Sequence, residues 1–178
     1  AVSRAEDTLK ESEQIFRTIF ENAADGILLA DVEDAKLFMG NKRICTELGY
    51  SPDEIKNLQV VDLHLEKDLP YVLGQFDQLK QNTIKVARDI PMKRRDGSIY
   101  YADVSSFPMT LKNKTYLIGI FRDITERRKA EEALRESERR YRSIFENAPL
   151  GIFHSTREGK LIDVNPAFSR ILCYESPE

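Results

Sequence analysis

The rarest side chains able to act as nucleophile, general base or metal ligand in this 178-residue chain are two histidines and two cysteines. His64 follows an amphipathic stretch, and His154 falls in a segment patterned as a strand. Neither lies beside a Ser or Cys nucleophile motif, so both read as structural or surface residues rather than catalytic ones. Cys45 and Cys173 stand far apart without Cys-x-x-Cys spacing, which gives neither a disulfide framework nor a metal pattern. A reducing, cytoplasmic setting is the expectation, with Cys45 a small buried apolar residue. No Gly-rich phosphate loop and no paired-His metal motif occurs, so the chain is expected to carry no catalytic apparatus and no metal.

The elements that would position any site follow from hydrophobic patterning. Hydrophobic residues make up 41% and charged residues 32%, enough apolar material for a core. The net charge of −3 provides no global field for nucleic acid or an anionic membrane. The one dense basic run, Lys93-Arg94-Arg95, leads into Asp96-Gly97 and reads as a hairpin tip, not a nucleic-acid patch. No stretch approaches the ~20 apolar residues of a membrane span, although the parent protein could be anchored elsewhere. Val2, Ala5, Leu9, Ser12, Phe16 and Ile19 alternate by three and four, the seam of a helix seeking a partner helix. Strands are predicted at Gly26 to Asp31 and Leu37 to Met39, then a helix capped by Asn41 and ended by Gly49. A short helix starts at Ser51-Pro52-Asp53-Glu54, and a longer one runs from about Glu66 to Gln81. Three strands, about Ile84 to Arg94, Ile99 to Met109 and Thr115 to Ile124, complete an antiparallel α+β domain.

A long internal repeat organises the chain. Glu11-Ser12-Glu13 and Ile19-Phe20-Glu21-Asn22-Ala23 recur as Glu136-Ser137-Glu138 and Ile144-Phe145-Glu146-Asn147-Ala148, at one offset of 125 residues. Lys36, Asn41 and Tyr50 match Lys160, Asn165 and Tyr174 at an offset of 124, so one residue is lost near Glu158-Gly159, in a turn. Ser176-Pro177-Glu178 repeats the helix start at Ser51 and stops, which predicts a fragment boundary. The expected organisation is an N-terminal helix over 1–12, a complete domain over 13–124, a connecting helix over 125–147 and the start of a second domain over 148–178. A half-domain of that size is expected to be marginal unless it pairs with another chain.

Asn41, Gly49-Tyr50-Ser51-Pro52-Asp53-Glu54, Asp96-Gly97-Ser98, Gly119 and Asp123-Ile124-Thr125-Glu126-Arg127, in this order and spacing, resemble the PAS (sensory-box) family. The resemblance covers about Glu13 to Arg128, and a second member begins at Ser137. It implies a five-stranded antiparallel sheet flanked by short helices and enclosing a small-molecule pocket. It also implies a sensory module that feeds an output domain, with a histidine kinase as the leading parent and a diguanylate cyclase or phosphodiesterase as the alternative. Glu132-Ala133-Leu134 spells the motif that names the phosphodiesterases but lies in an Ala/Glu-rich helix, and His64 lacks the His-Glu-Leu-Arg surroundings of a kinase phosphoacceptor. Haem-binding relatives place a His on the long helix, which has none here. Flavin-binding relatives carry Cys in an Asn-Cys-Arg-Phe context, whereas Cys45 follows Arg43-Ile44. No cofactor is therefore expected, and an unidentified small ligand is.

Alternation places Val86, Arg88, Ile90 and Met92 on one face of their strand, and Ala102, Val104 and Ser106 on one face of the next. If these faces point inward, Arg88 is a cation beside an apolar pocket and could hold an anion. The favoured alternative pairs Arg88 with Asp89 or Asp103, or turns it to solvent. Tyr71 and Phe76 on the long helix could line the pocket, with plain core packing the favoured reading. In the family the Asp123-Ile124-Thr125 junction couples the last strand to the connecting helix, Asp123 accepting hydrogen bonds and Thr125 capping the helix. Along that helix Ala130, Leu134, Ser137, Tyr141 and Ile144 form a seam in register with the N-terminal one, and Glu131–Arg135, Glu136–Arg140 and Glu138–Arg142 stand in the favourable order. Ala and Ser make it a weak seam, suited to a two-state coiled coil in a homodimer. One rival is a purely structural dimerisation module without ligand, and a second is a cofactor-bearing redox or light sensor.

Overall fold

The computed structural model describes residues 2–81 and 83–173, with side chains from residue 6. The expected matches at Tyr174 and Ser176-Pro177-Glu178, and the side chains of Val2 and Ala5, lie outside the described residues. The chain divides after Glu126 into two compact units. In the first, α1 (Val2–Glu21) precedes β1 (Gly26–Asp31), β2 (Leu37–Gly40), α2 (Lys42–Leu48) and α3 (Pro52–Ile55). Two 3₁₀ turns, Val60–Leu63 and Glu66–Asp68, lead into α4 (Leu69–Lys80), and β3 (Val86–Lys93), β4 (Ile99–Leu111) and β5 (Lys114–Asp123) follow. The strands form one antiparallel sheet in the order β2-β1-β5-β4-β3, an α+β architecture.

Local chemistry sets the boundaries. Asn41 Oδ1 accepts from the Ile44 amide at 3.1 Å and caps α2, and Gly49 ends it in the left-handed region at φ 78°. Ser51 and Glu54 close a reciprocal capping box around α3, with Pro52 in the first turn. α4 begins at Leu69 rather than Glu66 because a 3₁₀ turn tightens the entry and Pro70 occupies the first helical turn. The basic run at the β3–β4 hairpin staples that hairpin to the helices. Arg94 Nε donates to the Glu47 carbonyl at 2.7 Å, its guanidinium lies 4.6 Å from the Tyr100 ring centre, and Arg95 pairs with Glu54 at 3.0 Å.

β3 departs from simple alternation. Ala87 pairs with Val104 and Ile90 with Ala102, so one extra residue is inserted in β3, with Asp89 in the left-handed region at φ 54°. Such a bulge reverses which side chains face the core. Ala87, Ile90 and Met92 are buried, while Val86 and Arg88 are exposed. The favoured alternative for Arg88 is thus the observed one, and its candidacy as an inward anion-binding cation is corrected: its side chain is 70% exposed and lies 3.9 Å from the Asp103 carboxylate.

In the second unit α5 (Thr125–Asn147), whose first two residues belong to the first unit, is followed by the β6 (Phe153–Ser155) and β7 (Leu161–Val164) hairpin and α6 (Pro166–Ile171). The one-residue slip of the repeat falls in the β6–β7 turn, where Gly159 has φ 84°. No helix among the described residues is long and apolar enough to cross a membrane.

Candidate functional site

The sheet of the first unit lines a cavity of about 60 Å³, flanked on the other side by α4 and the Val60–Leu63 3₁₀ turn. Leu63, Val72, Ile90, Met92 and Val104 are among its apolar walls, and His64, Gln75 and Ser106 are its polar ones. Strand alternation explains the floor: Val104 and Ser106 of β4 and Leu117, Gly119 and Phe121 of β5 share the inward face. At Gly119 the backbone approaches the Phe121 ring closely: a Cβ there would lie 2.7 Å from the ring, which would have to move to admit it.

The polar lining groups differ in how they are satisfied. His64 is 5% exposed, and its Nδ1 stands 2.7 Å from the Pro91 carbonyl. A carbonyl only accepts, so Nδ1 carries the hydrogen. Burial pushes the imidazole pKa down and keeps the ring neutral. Ser106 Oγ is buried with no hydrogen-bond partner. Of the four side chains proposed from sequence as ligand contacts, Phe76 and Ser106 line the cavity. Arg88 does not, for the reason given by the bulge. Tyr71 does not either: it is exposed on α4 and its hydroxyl donates to the Arg88 carbonyl at 3.1 Å. His64 and Gln75 were missed, although His64 follows the buried Leu63 by one residue, in a turn too short to show a period.

A second polar cluster sits where β5 ends. Asp123 pairs with Ala102 across the ladder, two residues beyond the cavity-lining Phe121 on the same face. Its Oδ1 accepts from the Thr125 amide at 2.8 Å. The cap of α5 is therefore the Asp123 carboxylate rather than the Thr125 hydroxyl, whose Oγ1 is buried without a partner. Ile124 is buried, and its amide donates to the Tyr101 carbonyl at 3.0 Å. Nearby, Tyr100 Oη and Glu47 Oε2 are also buried without partners. Burial, with the negative charges of Glu47 and Asp123, raises the Tyr100 pKa; burial raises that of Glu47 against the opposing pull of Arg43 at 2.5 Å.

Residues 24–126 match the PAS domain family, and residues 139–178 match it a second time. The chain belongs to the PAS domain family. Sporulation kinase E of Bacillus subtilis is 28% identical over 90% of this chain, and the methyl sulfide methyltransferase-associated sensor of Methanosarcina acetivorans is 30% identical over 74%. A probable diguanylate cyclase of Escherichia coli is 29% identical over 82%. These alignments span only 21%, 13% and 13% of those proteins. The crystal structure of the PAS domain of an HTR-like protein from Haloarcula marismortui superposes with a TM-score of 0.54 at 27% identity, over 68% of this chain and 99% of that one. A PAS domain from a two-component sensor histidine kinase shares the fold at 12% identity and a TM-score of 0.55, over 64% and 97%. The chain is thus a PAS sensory region of the kind found in histidine kinases and diguanylate cyclases.

The helices of this PAS region present apolar stripes. On α1, Leu9, Phe16 and Ile19 are exposed at the expected spacing. On α5, Leu134 and Ile144 are more than 60% exposed, and Ala130 and Ser137 are exposed with them. Tyr141 has local partners as well: its ring stacks on Phe145 at 5.6 Å and on His154 at 6.1 Å. Glu136 and Arg140 close an ion pair at 3.0 Å, while Glu131 lies 3.8 Å from Arg127. Such exposed pairs are worth ~0.3–0.5 kcal/mol each.

Proposed function

We propose that this PAS region senses a small ligand in the cavity and passes occupancy to α5, which carries it along a homodimeric coiled coil to an output domain elsewhere in the parent protein. The observation that carries this reading is continuity along β5. Gly119 and Phe121 line the cavity, and Asp123, next on the same face, holds the first amide of α5. A ligand that displaces Phe121 acts two residues from that cap. Differential affinity for two arrangements of the junction is what a switch requires. The exposed stripes of α1 and α5 share one register in the repeat, the seam of a self-pairing helix, and a second copy is their proposed occupant.

A histidine kinase is the proposed parent, supported by the likeness to sporulation kinase E over most of this chain, and the proposed setting is cytoplasmic. The likeness to a probable diguanylate cyclase favours the second reading of the parent. No bound cofactor is proposed. A haem or flavin needs a site of several hundred Å³, well beyond the cavity of about 60 Å³.

A thermal-melt screen of small metabolites on the full chain, with visible absorbance recorded first, tests this function. A saturating ligand raises stability by about 2.7 kcal/mol at one hundred times its Kd. That gain, accompanied by a change in sedimentation that Leu134→Glu abolishes, is the expected result. A colourless protein with no stabilising compound and an unchanged dimer would support the purely structural module instead.

A further inference from the structure

We infer that the ligand of this cavity is a compact neutral carbonyl compound or alcohol, mainly apolar, whose one polar atom is held by Ser106 Oγ; this rests on the cavity being the sensory site. Among the described residues, no side chain that lines the cavity carries a formal charge, and its polar groups are His64, Gln75 and Ser106. An ion entering such a site leaves water without a counter-charge, which costs far more than one hydrogen bond returns. Two basic side chains close in sequence to its β3 wall are engaged elsewhere: Arg88 faces solvent beside Asp103, and Arg94 is bound to the Glu47 carbonyl; Lys93, next to Met92, is not among the residues that line the cavity.

Size and hydrogen bonding narrow the class. A buried water needs on the order of 10–15 Å³. A cavity of about 60 Å³ therefore accommodates on the order of four to six non-hydrogen atoms without moving its walls. His64 already spends its Nδ1 hydrogen on Pro91, whereas Ser106 Oγ has no partner. A buried hydroxyl without a partner is a standing cost that a ligand oxygen relieves by accepting from it. The ligand thus needs apolar bulk for Val72, Ile90 and Val104 and one oxygen for Ser106. A ketone such as 2-butanone has that composition, whereas propionate has similar size and a full negative charge.

The test is a chemical-shift titration of the full chain with 2-butanone, with propionate at pH 7 and with xenon, in wild type and in Ser106→Ala. The expected result is saturable shifts at Val72, Ile90 and Val104 with 2-butanone and xenon, and none there with propionate. Ser106→Ala weakens 2-butanone about three- to tenfold and leaves xenon unchanged. If Ser106→Ala does not fold, Ser106→Cys, a weak donor of similar size, carries the same comparison. Propionate binding as tightly as 2-butanone, 2-butanone indifferent to the Ser106 variants, or xenon shifts without 2-butanone shifts overturns the ligand class and leaves the cavity as a site. Silence from all three probes overturns both the ligand class and the sensory reading of the cavity.

Discussion

The two copies of the repeat make the same polar clamp and bury very different amounts of apolar surface. Asn41 accepts from the Ile27 and Ile44 amides at 2.9 and 3.1 Å and donates to the Phe20 and Asp25 carbonyls at 3.0 and 3.1 Å. Asn165 accepts from Ile152 and Phe168 at 2.8 and 2.9 Å and donates to Phe145 and Leu150 at 3.0 and 2.9 Å. Both asparagines are fully buried, and both bind the preceding helix and the next helix together with Ile27 in β1 or Ile152 just before β6. Yet Leu37 is 3% exposed and its counterpart Leu161 49%; Leu48 is fully buried and Leu172 half exposed. A four-bond clamp is satisfied by local sequence alone, from Phe20 to Ile44 in the first copy and from Phe145 to Phe168 in the second. In the first copy Leu37 and Leu48 belong to one buried cluster with Ile90, Met92, Tyr100 and Val104 of β3 and β4.

That contrast can be broken most forcefully at the clamp. Asn41→Ala removes four buried hydrogen bonds and is expected to cost ~3–5 kcal/mol in denaturant unfolding of the first unit. Asn165→Ala is expected to leave that transition unchanged within ~0.5 kcal/mol while abolishing amide protection at Ile152 and Phe168. Core substitution separates the copies next: Leu37→Ala should cost ~2–4 kcal/mol and Leu161→Ala less than ~0.5 kcal/mol in the same unfolding measurement.

The copies also differ at the end of their first strand, where Asp31 is buried against Lys114 and Ser155-Thr156 stands in the second copy. The hydrogen bond from Lys114 holds the Asp31 pKa below its ordinary value. Its contribution is present above the unfolded-state pKa and lost as pH falls through the lower, folded one. Melting of Lys114→Ala between pH 5 and pH 2 should show a shallower loss than wild type. The smallest effect is at Tyr100→Phe, which removes a buried hydroxyl that has no partner and should change stability by less than ~0.5 kcal/mol or raise it slightly.

Much of the first copy is legible in its sequence because each cue acts locally. Asn41 and Gly49 bound α2, Ser51 to Glu54 spells a capping box, and Asp96-Gly97-Ser98 turns a hairpin. The cavity is less legible. A single inserted residue at Asp89 leaves the composition of β3 unchanged but reverses its faces, which is why alternation points Arg88 inward and the fold points it out. Tyr71 and Phe76 belong to one helix, and only the packing of α4 on the sheet decides that Phe76 reaches the cavity. At the start of α5 the expected acceptor Asp123 does accept a hydrogen bond, whereas the expected Thr125 hydroxyl cap does not form; Asp and Thr are both good cap formers and only geometry chooses between them.

The central claim, that the cavity wall speaks to the connecting helix through β5, is tested most directly by amide hydrogen exchange at Thr125 in wild type and Gly119→Ala. The new methyl group collides with the Phe121 ring at the cavity wall and stands in for a ligand that moves it. The account predicts that exchange at Thr125 and the first turn of α5 changes about tenfold or more, while Gly97 at the hairpin tip stays as it was. Altered exchange at the cavity-lining residues with an unchanged Thr125 would contradict it.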